Sequence, residues 1–178
     1  MVAIAFAMAV LQMAQDRMPA LIDLAKSAVR AEVLGKSTPK PTTKTETKAV
    51  FVTIEKAGKV LGCRGSLEPR TSSAEEDVIL AARGAAAHDP RYRPLTKSDL
   101  DGFQVTVTLV NRLEPISTVD GLQPADGLVL EAGNKKGIVL PWEGKDPKVR
   151  LKWACQKAGV ADSQPRKLFR LIAIRSRG

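Results

Sequence analysis

The stretch Val60-Leu61-Gly62-Cys63-Arg64-Gly65-Ser66-Leu67 constrains this chain more than any other. Upstream, Ala49–Ile54 is rich in β-branched residues, and Glu55–Lys59 contains Gly58, so the two read as a strand and a short hairpin turn. Val60-Leu61 then begins the returning strand and delivers the chain to Gly62-Cys63-Arg64-Gly65. Two glycines at the end of a strand suggest a bulge, or a place where another group comes close to the backbone. Because a thiol, a guanidinium and permissive backbone meet here, this turn is the first place to look for a site.

The helix start that follows is explicit. Ser72 and Ser73 are both N-cap candidates, with Glu75 and Glu76 three residues after each, which is the capping-box spacing. Val78, Ile79, Ala82, Ala85 and Ala86 form the apolar side of a helix that His88-Asp89-Pro90 must end, because the residue before proline avoids the helical region. Before the hairpin, Pro19–Leu34 reads as another helix, with Leu21, Leu24, Ala25 and Ala28 on one face and Gly35 just past its end. Lys36–Lys48 holds no large apolar residue and reads as a flexible loop.

Downstream, Phe103, Val105, Val107 and Leu109 alternate with polar residues, the pattern of a half-buried strand in an antiparallel sheet, which Glu114-Pro115-Ile116 leaves. Leu128–Glu131 and Gly137–Leu140 predict two further strands around a hairpin loop of residues 132–136. Asp146 caps and Pro147 opens a third helix, with Leu151, Ala154, Cys155 and Ala158 inward and Gly159 at its end. Lys167–Ile174 reads as the last strand. Hairpins mixed with helices, without regular βαβ units, argue an α+β fold with an antiparallel sheet and surrounding helices.

Composition narrows the function classes. At 44% apolar residues the chain is not a disordered one, and with 4% aromatics its core must rest on Ala, Val, Leu and Ile. Residues 145–178 carry ten basic and two acidic residues, net +8 of the chain's +9. Such a segment attracts polyanions, so nucleic acid is a conceivable partner, although no aromatic ribonucleoprotein motif accompanies it. Two cysteines and one histidine make neither a disulfide framework nor a zinc site, no cofactor is indicated, and the cysteine usage fits a reducing cytoplasm. The apolar run Val2–Met13 is too short to span a membrane and lacks the basic start of a secretory signal. Residues 1–18 are therefore read as an extension to a single domain of residues 19–178.

Four motifs, FVTIEKAGKVLGCRGSLEP from Phe51, AAAHDPRYRPLTKSDLDGFQVTVTLV from Ala85, DGLVLEAGNKKGIVLP from Asp126 and CQKAGV from Cys155, resemble those of the AMMECR family in order and spacing. The resemblance covers about residues 19–174 and implies an α+β fold with a larger and a smaller lobe. It also implies a place beside Memo-type and radical-SAM proteins as partners, the AmmeMemoRadiSam set. It brings no settled reaction. The family hexapeptide is Leu-Arg-Gly-Cys-Ile-Gly, so this chain keeps both glycines and the cysteine but carries Leu61 where the family has arginine and Arg64 after the cysteine. Three residues apart in an extended segment, the two positions face opposite ways.

Cys63 has two readings. Beside Arg64 its thiolate could act as a nucleophile, and at a tight turn it could equally be a small packing residue. His88 is the sole histidine available as a base for it. Asp89, Arg91 and Tyr92 of the DPRY motif either line a cleft beside Gly62, Arg64 and Gly65 or shape and tie down a turn. Cys155 reads as core, Lys135-Lys136 as a solvated hairpin tip, and Glu68 as a lone carboxylate. The leading expectation is a ligand- or partner-binding domain with a cleft at the glycine–cysteine turn, the second an enzyme that depends on Cys63.

Overall fold

A computed structural model describes residues 15–178, and Val2–Met13 lies outside the described residues. The elements are α1 (Met18–Val33), β1 (Val50–Lys56), β2 (Lys59–Gly65), α2 (Ala74–Ala87), a 3-10 turn (Lys97–Leu100), β3 (Gln104–Ile116), β4 (Gly127–Ala132), β5 (Lys135–Val139), α3 (Pro147–Ala158) and β6 (Lys167–Arg177). The fold is α+β, and the strand pairs β1–β2, β1–β3, β4–β5 and β4–β6 are all antiparallel. The chain divides into a larger unit, running to Leu109 and including Ile174–Gly178, and a smaller one, Val110–Ala173.

In the larger unit the strands run β2-β1-β3. The β1–β2 turn is Ala57-Gly58, both with positive φ (49° and 77°), which matches the right-handed twist of the strands it joins. Alternation sends Val52 and Ile54 of β1 and Val105 and Val107 of β3 into one core with Leu21, Ala25 and Val29 of α1 and Val78, Ala82 and Ala85 of α2. Small residues on α2 let it lie close to the strands. Gly178 and Val105 exchange backbone hydrogen bonds of 2.8 and 3.0 Å, so the end of the chain closes beside β3.

In the smaller unit β4 lies between β5 and β6. Leu128, Leu130 and Val139 pack against Ala154, Cys155 and Ala158 of α3. A Cβ on Gly137 would stand 1.9 Å from the Ala154 carbonyl oxygen, so only glycine lets the helix approach β5 this closely.

Four expectations change. The bulge suggested at the glycines falls one residue earlier: β2 runs through Gly65, and Leu61 is the extra residue, since Ile54 pairs with Gly62 and Glu55 with Val60. β3 does not stop before Glu114-Pro115-Ile116 but continues to Ile116. The hairpin loop is shorter than residues 132–136, although Lys135 and Lys136 are solvated as expected. They open β5, where Lys136 pairs with Glu131 at 2.7 Å and Lys135 donates to the Gly159 carbonyl. Residues 36–48 hold neither helix nor strand, yet Thr45 is tied to α2 through its amide and hydroxyl, both donating to the Glu75 carboxylate.

Candidate functional site

The bulge at Leu61 fixes what β2 presents to each side. Gly62 pairs with Ile54 and Arg64 with Val52, both core-facing residues, so Gly62 and Arg64 face α2. A Cβ on Gly62 would meet the Ala85 carbonyl oxygen at 2.0 Å, and Gly84 would meet the Arg64 stem at 3.4 Å. On Gly65 a Cβ would stand 2.2 Å from the Val50 carbonyl oxygen. The backbone-permissive glycines are therefore required by the protein's own close packing.

Cys63 points the other way. Its Sγ accepts a hydrogen bond from the Thr53 hydroxyl at 3.1 Å, across the β1–β2 pair. Thr106 continues this row on β3, with its own hydroxyl buried and without a hydrogen bond among the described residues. Both backbone groups of Cys63 on the outer edge of β2 are met by the DPRY segment. The Cys63 amide donates to Asp89 Oδ2 at 2.9 Å, and Arg91 donates to the Cys63 carbonyl at 2.9 Å. Arg91 also binds both oxygens of Asp89, at 2.9 and 2.7 Å, and lies 5.4 Å from the Tyr92 ring centroid. The Asp89 carboxylate is 1% exposed. Burial opposes its ionisation, but the hydrogen bonds from Arg91 and the Cys63 amide outweigh it and lower its pKa to about 2. Asp89 and Arg91 thus act as an edge cap that replaces a missing strand partner.

The expected cleft is resolved into separate places. Arg64, Gly65, Ser66, Arg70, Asp77, Gly84 and His88 line a pocket of about 190 Å³ between the end of β2 and the outer side of α2. Tyr92 and Leu61 line a different hollow of about 80 Å³ with Arg93, Leu95 and Asp99. Leu61, at the family's arginine position, and Arg64 therefore serve different surfaces. His88 shares Arg64's pocket, while the Cys63 thiol faces Thr53, so the alternation of β2 separates the two groups of the supposed dyad. The His88 imidazole, 69% exposed, lies 3.6 Å from Glu32. Glu68 is exposed, its amide donating to the Ser66 hydroxyl.

Arg70 was not singled out from sequence, and it completes the pocket. Its amide donates to both oxygens of Asp77, at 3.1 and 3.2 Å, which leaves its side chain at the pocket wall. Among the described residues neither the Arg64 nor the Arg70 guanidinium has an ion pair, and Asp77 is the single carboxylate in the lining. Two free guanidiniums, a hydroxyl and an imidazole around a small hollow suit an anion. Among the described residues there is no cluster of three or more metal-ligating side chains, and no helix is long and apolar enough to cross a membrane.

Comparison with known proteins follows the same outline. The family model described as AMMECR1 matches residues 22–172. A protein of Thermofilum pendens is 34% identical over 168 residues, covering 80% of this chain and 78% of its own. One of Methanothermobacter thermautotrophicus is 30% identical over 165 residues, covering 83% and 85%. One of Aeropyrum pernix is 36% identical over 126 residues, covering 63% of this chain and 54% of its own, so this chain spans about half of that relative. The crystal structure of the uncharacterized protein PH0010 from Pyrococcus horikoshii superposes with a TM-score of 0.75 at 26% identity, covering 88% of this chain and 89% of that one.

Proposed function

The chain belongs to the AMMECR1 family, and from that premise we propose that it is a ligand-binding domain that holds a small anion, a phosphate, phosphate monoester or carboxylate, beside the Gly62-Cys63-Arg64-Gly65 strand end. The observation that carries this reading is the convergence of Arg64 and Arg70, neither ion-paired among the described residues, on one pocket of about 190 Å³ with Ser66 and His88. Arg64 stands on a rigid strand whose edge is fixed by Asp89 and Arg91, so its stem is already placed before a ligand arrives. In this reading Cys63 positions backbone rather than attacking a substrate. Memo-type and radical-SAM proteins are the partners proposed on resemblance alone. A reducing cytoplasm is the proposed location, because Cys63 and Cys155 are both free thiols.

The test is thermal unfolding in pyrophosphate, phosphate or citrate against chloride at matched ionic strength. The expected result is a rise in Tm with the multivalent anion at millimolar concentration that is lost in the Arg64→Ala, Arg70→Ala double variant. An equal rise in the double variant, or no rise in the wild type, would overturn the reading.

A further inference from the structure

The smaller unit carries a second surface that the anion pocket does not use. The chain has two tryptophans, and both are exposed there, Trp142 at 57% and Trp153 at 37%. Among the described residues Phe51 and Phe103 are each under a tenth exposed, and Tyr92, on the larger unit, is the other exposed aromatic. Trp142 stands in the left-handed region with φ 66°, although it is not glycine, and its amide is held by the Pro124 carbonyl at 2.8 Å. A bulky residue kept in that conformation with its ring in solvent marks a constrained, presented side chain. Trp153 is braced from below: a Cβ on Gly144 would stand 2.6 Å from Cζ3 of its ring, so only glycine lets the ring rest there.

Charge surrounds these rings. On the exposed face of α3, Lys148 and Lys152 are one turn apart and adjacent to Val149 and Trp153, and Lys145 precedes the helix. Lys148 also lines a groove of about 900 Å³ that continues to Lys167 and Phe169 at the start of β6. None of Lys145, Lys148, Lys152 and Lys167 has an ion pair among the described residues. Asp120 is the one carboxylate in the groove.

We infer that this face binds single-stranded nucleic acid, with unpaired bases stacking on Trp142 and Trp153 and the backbone running along Lys145, Lys148 and Lys152 toward the groove at Lys167. Paired aromatic platforms beside a positively charged track are what sequence-tolerant single-strand binding needs. A duplex offers no open base face to the rings. An anionic membrane fits less well, since the apolar side of α3 is spent on β5, where Ala154 lies against Gly137, and three exposed apolar side chains make no insertion face.

Because both tryptophans lie in the patch, intrinsic fluorescence reports on it directly. The full chain is titrated with 12-mer oligo(U) and oligo(dT) at 50 mM KCl, in parallel with a labelled-oligonucleotide anisotropy assay. Tryptophan quenching with matching anisotropy is expected, and affinity falls with salt with a log–log slope of about −2 if three lysines meet phosphates. Trp153→Ala weakens binding by about tenfold or more, from the lost stacking. Lys148→Glu with Lys152→Glu does the same without touching the core, while the Arg64→Ala, Arg70→Ala variant binds as the wild type. Absence of binding at 50 mM KCl, unchanged affinity in both patch variants, or a fluorescence change with phosphatidylserine vesicles but not with oligonucleotides would overturn the inference.

Discussion

Asp89 shows how one buried side chain can order a strand edge. Its carboxylate takes the Cys63 amide and three bonds from Arg91, one from its amide and two from its guanidinium, and Arg91 returns to the Cys63 carbonyl. Its folded pKa of about 2 lies below the ordinary 3.8. A depressed carboxylate stabilises the fold above its unfolded pKa, and that contribution is lost as pH falls toward the folded value. The shift corresponds to roughly 2 kcal/mol at neutral pH. Asp89→Asn is therefore expected to lower stability by about that much at pH 7, with the gap closing as pH falls from about 4 to about 2. Urea unfolding of both proteins at pH 7, 4 and 2.5 measures it, and a gap that stays constant would deny the charge its role.

At the level of elements, α2 begins at one serine and not its neighbour. Ser73 is the N-cap, extended at φ −153°, and its buried hydroxyl accepts the Glu76 amide at 3.3 Å. Ser72 lies outside and bonds the Glu76 carboxylate in solvent. Ser73→Ala should cost about 1 kcal/mol and Ser72→Ala less than half of that, read as shifts in urea midpoint at unchanged slope. The capping-box spacing allowed either serine, because register at a helix start depends on the loop that precedes it. The same limit explains the rest of what was legible. Helix and strand identities followed from period and punctuation: Gly35 and Gly159 do end helices with φ of 62° and 65°, and Asp146 does cap α3 through the Lys148 and Val149 amides. Arg150 was not foreseen inside the core. It is fully buried, donating to the carbonyls of Gln123 and Asp126, a pairing that depends on a distant loop and not on helical period. Within the candidate site, Arg64 was legible, whereas Arg70 was not. Residues 66–73 return to α2 by an aperiodic path, and the Arg70–Asp77 bonds that fix it have no signature in spacing.

For the molecule as a whole, the two units differ in what holds them. Among the described residues the larger unit buries twenty apolar side chains in its core cluster, Leu21, Ile54 and Leu109 among them. The core cluster of the smaller holds nine, of which three are alanines, beside an Arg150 whose Nε is buried without a hydrogen-bond partner among the described residues. Each large buried side chain contributes about 1.5–3 kcal/mol, and an unsatisfied buried polar atom subtracts about 1–3. Local opening free energies follow such differences, so the smaller unit should open more readily. Hydrogen exchange at pH 7 is expected to run at least about tenfold faster at the central amides of β4, β5 and α3 than at those of β1 and α2. β3 supplies an internal control, because it runs from Val105–Leu109 in the larger unit into Arg112–Ile116 in the smaller. Its hydrogen-bonded amides should be protected in the first part and exchange faster in the second, although strand type and sequence neighbours are continuous. Uniform protection along β3, together with equal rates in β1 and β4, would show that the chain opens only as one cooperative body and that core size does not divide it.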